Sequence, residues 1–394
     1  MSKQNTVKEP LFHIVKRTEM PLWQAWLIRI VAIIVGLAVA SVLCAAVAGK
    51  NPLDVPVSLI NGCFGTERRL WVFLREGALL LGVTLALIPA FKMKFWNLGG
   101  NGQVLIGCIA STACMFYLGG KLPDWVVNII MIVAAIAAGA IWAVIPAIFK
   151  ACFNTNETLF TLMMNYITTA LAAYCLVVWV PSGTSVLSPF TEGVLPTIIN
   201  DNVLTLIVVA VLLVFMTVYL KFSKHGYELS VVGESEKTAK YIGINVKRVV
   251  IRTLVLSGAI CGVIGLLLSG SINHTLTTSM DNNMGFTATM TAWLAKFSPL
   301  VAIFTSFFIT FISRGMSEVQ VSFGFSESSV ANIVTGLVYF AIIACEFFVS
   351  YKIVGRSKNK EKSVKTETKE KQTEAKADEQ TVSDEKNPVK EEVK

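Results

Sequence analysis

The chain has 394 residues, 54% of them hydrophobic and 15% charged, with a formal net charge of +8. Its mean hydropathy of +0.63 excludes an ordinary soluble domain, which could not keep so apolar a surface from aggregating. The positive charge points to neither nucleic acid nor an acidic substrate, because 22 of the 60 charged side chains lie in positions 352–394, a mixed-charge stretch with too little apolar surface to fold.

In chain order, the polar start (1–22) lacks the basic-then-apolar order of a cleaved leader and reads as a cytoplasmic segment. At about 20 apolar residues per crossing, spans are expected near 24–48, 70–90, 103–119, 126–148, 158–180, 203–220, 250–271 and 329–350. The shorter runs 286–295 and 299–313 bring the count to ten and put both termini on one side. With the N-terminus inside, internal connections hold eleven Lys or Arg and external ones six, Arg75 and Arg314 among the latter. That asymmetry orients the chain. The expected fold is therefore an all-α integral membrane protein of about ten transmembrane helices over 23–354, followed by a disordered tail over 355–394.

Two Gly/Asn breaks interrupt this pattern. Asn97-Leu98-Gly99-Gly100-Asn101-Gly102 follows the second span on the inner side, and Asn282-Asn283-Met284-Gly285 follows the seventh on the outer side. Three further crossings follow each. Interrupted segments at matching places with opposite sidedness are the mark of an inverted repeat, although ordinary turns have the same composition.

The chain carries no catalytic machinery that its residues reveal. Gly119-Gly120-Lys121 is followed by Leu122 instead of a hydroxyl residue, so it is no phosphate loop. His13, His225 and His274 lie far apart, and six of the eight cysteines sit inside apolar runs without ligand spacing. The expectation is a non-enzyme without metal or cofactor, driven by a partner or an ion gradient.

Polar residues within apolar runs are costly unless partnered. Gln103 opens the third span, Asn165 interrupts the fifth beside Tyr166, and Asn332 and Thr335 lie on the last. Asn165 reads either as an amide that fixes helix packing, worth about 1 kcal/mol, or as a group facing a solute. Phe160, Tyr166, Phe286 and Trp293 are either stacking surfaces or ordinary core and lipid contacts. A carboxylate near mid-membrane is missing from this reading, which weighs against ion-coupled transport, while sodium sites built from carbonyls stay open.

Between two apolar runs, positions 226–248 read GYELSVVGESEKTAKYIGINVKR. Ser235 can cap a short helix, Glu236 suits its first turn, Lys240 its last, and Gly243 ends it. An ordinary inner loop has the same charge. A two-turn helix between spans, with small Ala239 and flanking glycines, is also what a docking element needs.

These segments resemble the branched-chain amino acid/ribose/nucleoside permease family of ABC importers. Phe95–Gly107 is similar to its Phe-Asn-Ile-Gly-Ala-Glu-Gly-Gln-Met-Leu-Ile-Gly block, and Asn156–Ile167 to its Asn-Glu-Val-Ile…Thr-Leu-Met-Leu-Asn-Tyr-Ile block. Val232–Arg248, Ser257-Gly258-Ala259 with Gly262, and Gly285-Phe286-Thr287 with Ser298-Pro299-Leu300 match three further blocks in order. The outer segment 51–69 looks like the nucleoside branch. Two departures fall on the expected path: Gly100-Asn101 for Ala-Glu, and the bulkier Thr289-Met290-Thr291-Ala292-Trp293.

The resemblance implies a permease subunit translocating nucleosides, or related ribosyl or simple sugar solutes, in a bacterial cell membrane with both termini cytoplasmic. The implied partners are a separate ABC ATPase, a second and paralogous permease chain, an extracellular substrate-binding lipoprotein and the bilayer. The implied solute path is Asn97, Gly99, Asn101, Gly102, Gln103, Asn165, Tyr166, Phe286 and Thr287. Within the loop 221–250, Gly233, Glu234, Ser235, Ala239 and Gly243 would meet the ATPase. The rivals are an ion-coupled secondary transporter and a membrane scaffold or lipid-exporter subunit.

Overall fold

A computed structural model describes residues 12–16, 21–180, 187–197, 199–325 and 328–355. The expected tail from 356 onward lies outside the described residues. In chain order come β1 (Phe12–Lys16), α1 (Leu22–Ala48), α2 (Asp54–Phe64), α3 (Glu67–Lys92), α4 (Gly100–Leu118), α5 (Asp124–Phe153) and α6 (Glu157–Trp179). Then follow α7 (Val203–Phe222), α8 (Lys224–Glu234), α9 (Glu236–Tyr241), α10 (Val246–Leu267), a π-helical extension (Leu268–Asn273), α11 (Met284–Leu294), α12 (Pro299–Phe323), α13 (Ser328–Ser350) and β2 (Tyr351–Gly355).

The helical membrane fold is as expected, with one short ribbon added. β1 pairs antiparallel with β2, Ile14 opposite Ile353. This ribbon belongs to a unit formed by residues 1–36 and 338–394, in which Gly36 also lies against Ala341. Residues 37–337 form the second and larger unit.

The larger unit is built around α10. Gly258, Gly262 and Gly265 repeat along it at helical spacing, and a Cβ at any of them would strike a neighbouring backbone. Gly139 and Ala135 of α5 press on Gly258 and Gly262, while Gly107 and Val104 of α4 press on Gly262 and Gly265. Lipid is as apolar as leucine, so helices in a bilayer associate through such backbone proximity and not through hydrophobic burial. Ser111 on α4 and Ser269 beyond α10 add a buried hydroxyl pair, 2.5 Å apart.

Contacts separate the two ends of this bundle. One is lysine-rich: Lys150 pairs with Glu157 at 2.8 Å, Arg252 with Glu228 at 3.0 Å, and the Trp96 and Trp293 rings lie 5.2 Å apart. At the other end Arg75 donates to Asn202, Arg69 pairs with Glu318, Arg314 pairs with Glu76, and Phe190 donates to the His274 carbonyl.

Among the described residues, eight helices are long and apolar enough to cross a membrane. The expected ten needs one correction: the run 286–295 is no full crossing. α11 has 11 residues, about 16 Å of helix against a hydrocarbon core of about 30 Å. The connection 274–283 instead descends from the His274 end, and α11 completes the passage to the Trp293 end. The following run extends farther than expected, as the 25-residue α12. The outer segment 51–69 also contains a helix, α2, whose Val55, Leu59 and Cys63 are buried.

In a cysteine-free background, single cysteines near Lys150, Lys237 and Lys296 should be shielded from an impermeant reagent in intact cells, and ones near Asp124 and Ser317 should react. Labelling near Lys296 would show that α11 does not complete a crossing.

Candidate functional site

Residues 93–99 run unwound between α3 and α4, and their polar groups are met by side chains from other helices. Asn97 is fully buried; its Oδ1 accepts from Gly99 N at 3.0 Å and Gln103 Nε2 at 3.3 Å, and its Nδ2 donates to Ser257 Oγ at 3.4 Å. Asn165 on α6 spans the break, accepting from Gly102 N at 2.8 Å and donating to the Leu98 carbonyl at 2.9 Å. Thr161 Oγ1 accepts from Leu98 N at 3.1 Å. The opening N–H groups of a helix have no partner of their own, and in hydrocarbon each orphan costs several kcal/mol. Of the two readings of Asn165, the geometry supports the builder: both ends of its amide are committed to the break.

The second break lies at the start of α11, where Asn282 and Asn283 adopt left-handed backbone at φ 43 and 54°. Asp281 turns the chain: its carbonyl accepts from Met284 N at 2.8 Å and its carboxylate from Asn283 N at 3.3 Å. Only 8% of Asp281 is exposed. A buried carboxylate near the breaks was not foreseen from the sequence.

The two breaks meet. Asn101 Oδ1 accepts from Gly285 N at 2.5 Å, and its Nδ2 donates to Asn283 Oδ1 at 3.4 Å. A Cβ on Gly100 would lie 3.1 Å from Gly285 Cα, so the first turns of α4 and α11 touch backbone to backbone. Two helix N-termini, each the positive end of its dipole, converge here.

Beside this junction an open cavity of about 240 Å³ lies between α3, the π-helical extension, α11 and α12. Its polar lining includes Arg75, Glu76, Asn273, Asn282, Thr287, Thr310 and Ser313. Of the residues expected on a path, Thr287 lines the cavity and Asn101 supports its Asn282–Met284 wall. Asn97, Gly99, Gly102, Gln103 and Asn165 are gathered behind that wall, and Phe286 is half-buried. Tyr166 is not brought in; at 64% exposure it faces outward, one residue round the helix from Asn165. Arg75 and Arg314, expected in outer connections, lie within α3 and α12, and Glu76 lies beside Arg75 on α3.

At the lysine-rich end α9 forms as its sequence suggests. Ser235 Oγ accepts from Thr238 N at 3.2 Å, and Gly243 ends the turn at φ 83°. A Cβ on Gly233 would collide with the Lys92 carbonyl, the last residue of α3 before the break. Ala239 is fully buried against its own chain, so it cannot present itself to a partner. The outward face carries Glu234, Lys237 and Thr238, with Tyr241 91% and Ile242 54% exposed. The two apolar side chains had no periodicity to betray them in so short a helix.

Residues 73–344 match the family described as the branched-chain amino acid transport system permease component. The guanosine ABC transporter permease NupP of Bacillus subtilis is 25% identical over 85% of this chain and 97% of its own length. The glucose ABC transporter permease TsgB13 of Haloferax volcanii is 26% identical over 86% and 92%, and the nucleoside ABC transporter permease NupB of Lactococcus lactis 24% over 83% and 91%. The interrupted helices, the helical membrane fold and this match over most of the described chain make it a member of the branched-chain amino acid transport permease family, the membrane-spanning component of ABC transporters.

Proposed function

We propose that this permease carries nucleosides, or closely related ribosyl solutes, inward through the cavity beside the α4–α11 junction. The observation that carries the reading is the convergence of two interrupted helices under an open cavity, in a chain whose relatives include guanosine and nucleoside permeases. Helix N-termini offer N–H donors to a polar solute without side-chain bulk, which suits hydroxyl and carbonyl oxygens. The cytoplasmic ATPase supplies the energy, an extracellular binding protein delivers the solute, and a second permease chain completes the passage. Both termini and the α8–α9 segment then lie in the cytoplasm.

The chain's own contacts suggest how force reaches the cavity. The ATPase grips the outward face of α9. α8 bears on the Lys92 carbonyl through Gly233, and Lys92 leads directly into residues 93–99. A shift of α8 relative to α3 therefore displaces the break that Asn165 and Asn97 hold, and with it the partner helix α11. Rocking of one repeat against the other is the general route to alternating access in such folds.

Replacing Asn165 with Leu orphans Gly102 N and the Leu98 carbonyl. The loss of a buried hydrogen bond costs about 1–3 kcal/mol, so ATP-dependent nucleoside uptake should fall roughly 5- to 150-fold while the protein still reaches the membrane. Uptake equal to wild type at matched expression would show that passage does not need the hold of Asn165 on the break.

At the coupling surface, Tyr241→Ala with Ile242→Ala should weaken co-purification of the ATPase and leave the melting temperature of the permease unchanged. Ala239→Trp should instead lower that melting temperature, because its clash is internal. Full ATPase capture by the Tyr241/Ile242 variant would remove this face from the contact.

A further inference from the structure

At the lysine-rich end a second open cavity, of about 590 Å³, lies between the last turn of α5, α9 and the first turn of α10. Three ammonium groups line it: Lys150 on α5, Lys240 on α9 and Lys247 on α10. Lys150 is committed to Glu157 at 2.8 Å, whereas Lys240 and Lys247 make no ion pair among the described residues. Glu236 is the acid in the wall. With Glu157 counted too, three positive groups face two negative ones, and α10 begins beside Lys247 with the positive end of its dipole. One negative charge neutralises this site, and a polyphosphate would overload it.

The surface next to the charged wall is apolar and bare. Lys150 and Asn154 line the cavity one turn apart on α5. Phe149 and Phe153 directly precede them, with rings 5.7 Å apart and 40 and 70% of their surface exposed. Ile244, Val246 and Val250 carry apolar surface into the cavity itself. α5 has 30 residues, about 45 Å of helix against a hydrocarbon core of about 30 Å, so its ends stand at headgroup depth. A soluble anion would use the lysines and leave the rings bare, whereas an amphipathic anion uses both.

We propose that this cavity binds an anionic phospholipid, its phosphodiester held between the Lys240 and Lys247 ammonium groups and its acyl chains lying along Phe149 and Phe153. Basic pockets between transmembrane helices on the cytoplasmic side are where anionic headgroups bind. The lipid bridges α5, α9 and α10, and so holds α9, the element the ATPase is proposed to grip, against the bundle. The proposal needs the membrane fold and not the identity of the solute.

The test uses the complete transporter, both permease chains with the ATPase, delipidated in a neutral detergent. It is titrated with phosphatidylglycerol or phosphatidylcholine of the same acyl chains, and bound lipid is counted by native mass spectrometry. Phosphatidylglycerol should bind saturably and phosphatidylcholine should not. Lys240→Gln with Lys247→Gln should lower the apparent affinity for phosphatidylglycerol at this site roughly 30-fold, the attraction of two ammonium groups near a membrane surface. The melting temperature without lipid should stay as in the wild type. Anionic-lipid sites on the partner chains persist in the variant, so the difference between the two proteins isolates this one. Phosphatidylglycerol should also raise the melting temperature of the wild type where inorganic phosphate does not, a comparison that needs no altered protein. Equal binding of the two lipids, unchanged affinity in the double variant, or the same melting shift with inorganic phosphate would each overturn the proposal. So would a variant that keeps its lipid and loses the ATPase, because the lysines would then belong to that contact. Nucleoside uptake enters none of these readouts, so the lipid site and the transport reading fail separately.

Discussion

A helix that begins inside a bilayer must find partners for its opening N–H groups, and among the described residues of this chain α4 and α11 are such helices. It answers with amides. Asn165 and Thr161 reach across from α6 to the chain entering α4, and Asn101, from α4, caps α11 at Gly285. These caps are delivered from neighbouring elements, and they join Asn97 and Asp281, which bond within the breaks themselves. Gly100 and Gly285 let the two first turns touch, and a side chain at either would push them apart. The position of α11, the wall of the cavity and the burial of Asp281 all depend on that contact.

The same arrangement links the two ends of the bundle. α5 packs as a continuous helix on the glycines of α10, while α4 and α11 begin at breaks anchored by polar side chains. The contact of α5 with α10 is a close backbone approach, which tolerates little sliding. The broken passages are held by a few hydrogen bonds, each worth about 0.5–1.5 kcal/mol net, so they are the parts a modest free energy can shift. α8 bears on the broken part, at Lys92, which is where a mechanical input has most effect.

Much of this was legible in the residues. Apolar runs locate the spans because a bilayer sets their length, and Ser235, Glu236, Lys240 and Gly243 mark α9 because capping is local. What escaped depends on partners distant in sequence. The run 286–295 looks like a marginal crossing because composition cannot say that its N-terminus stops at Gly285 against Asn101. Arg75 looks like a boundary charge because hydropathy cannot show Asn202 holding it within α3. Ala239 looks like a docking contact because small size suits an external groove and an internal one equally. Asn165 allows two readings until both of its amide bonds are seen, and Tyr166 loses its place on the path once Asn165 faces inward.

The most direct test of this account is a methyl group at the junction. A Cβ on Gly285 would overlap the backbone of Asn101 and Gly100 and the Asn101 side chain, so its clash falls on the α4–α11 contact. Gly285→Ala should abolish ATP-driven nucleoside uptake by the reconstituted transporter, with assembly and ATPase binding intact. Uptake at the wild-type rate would contradict the claim that passage depends on the contact between α4 and α11.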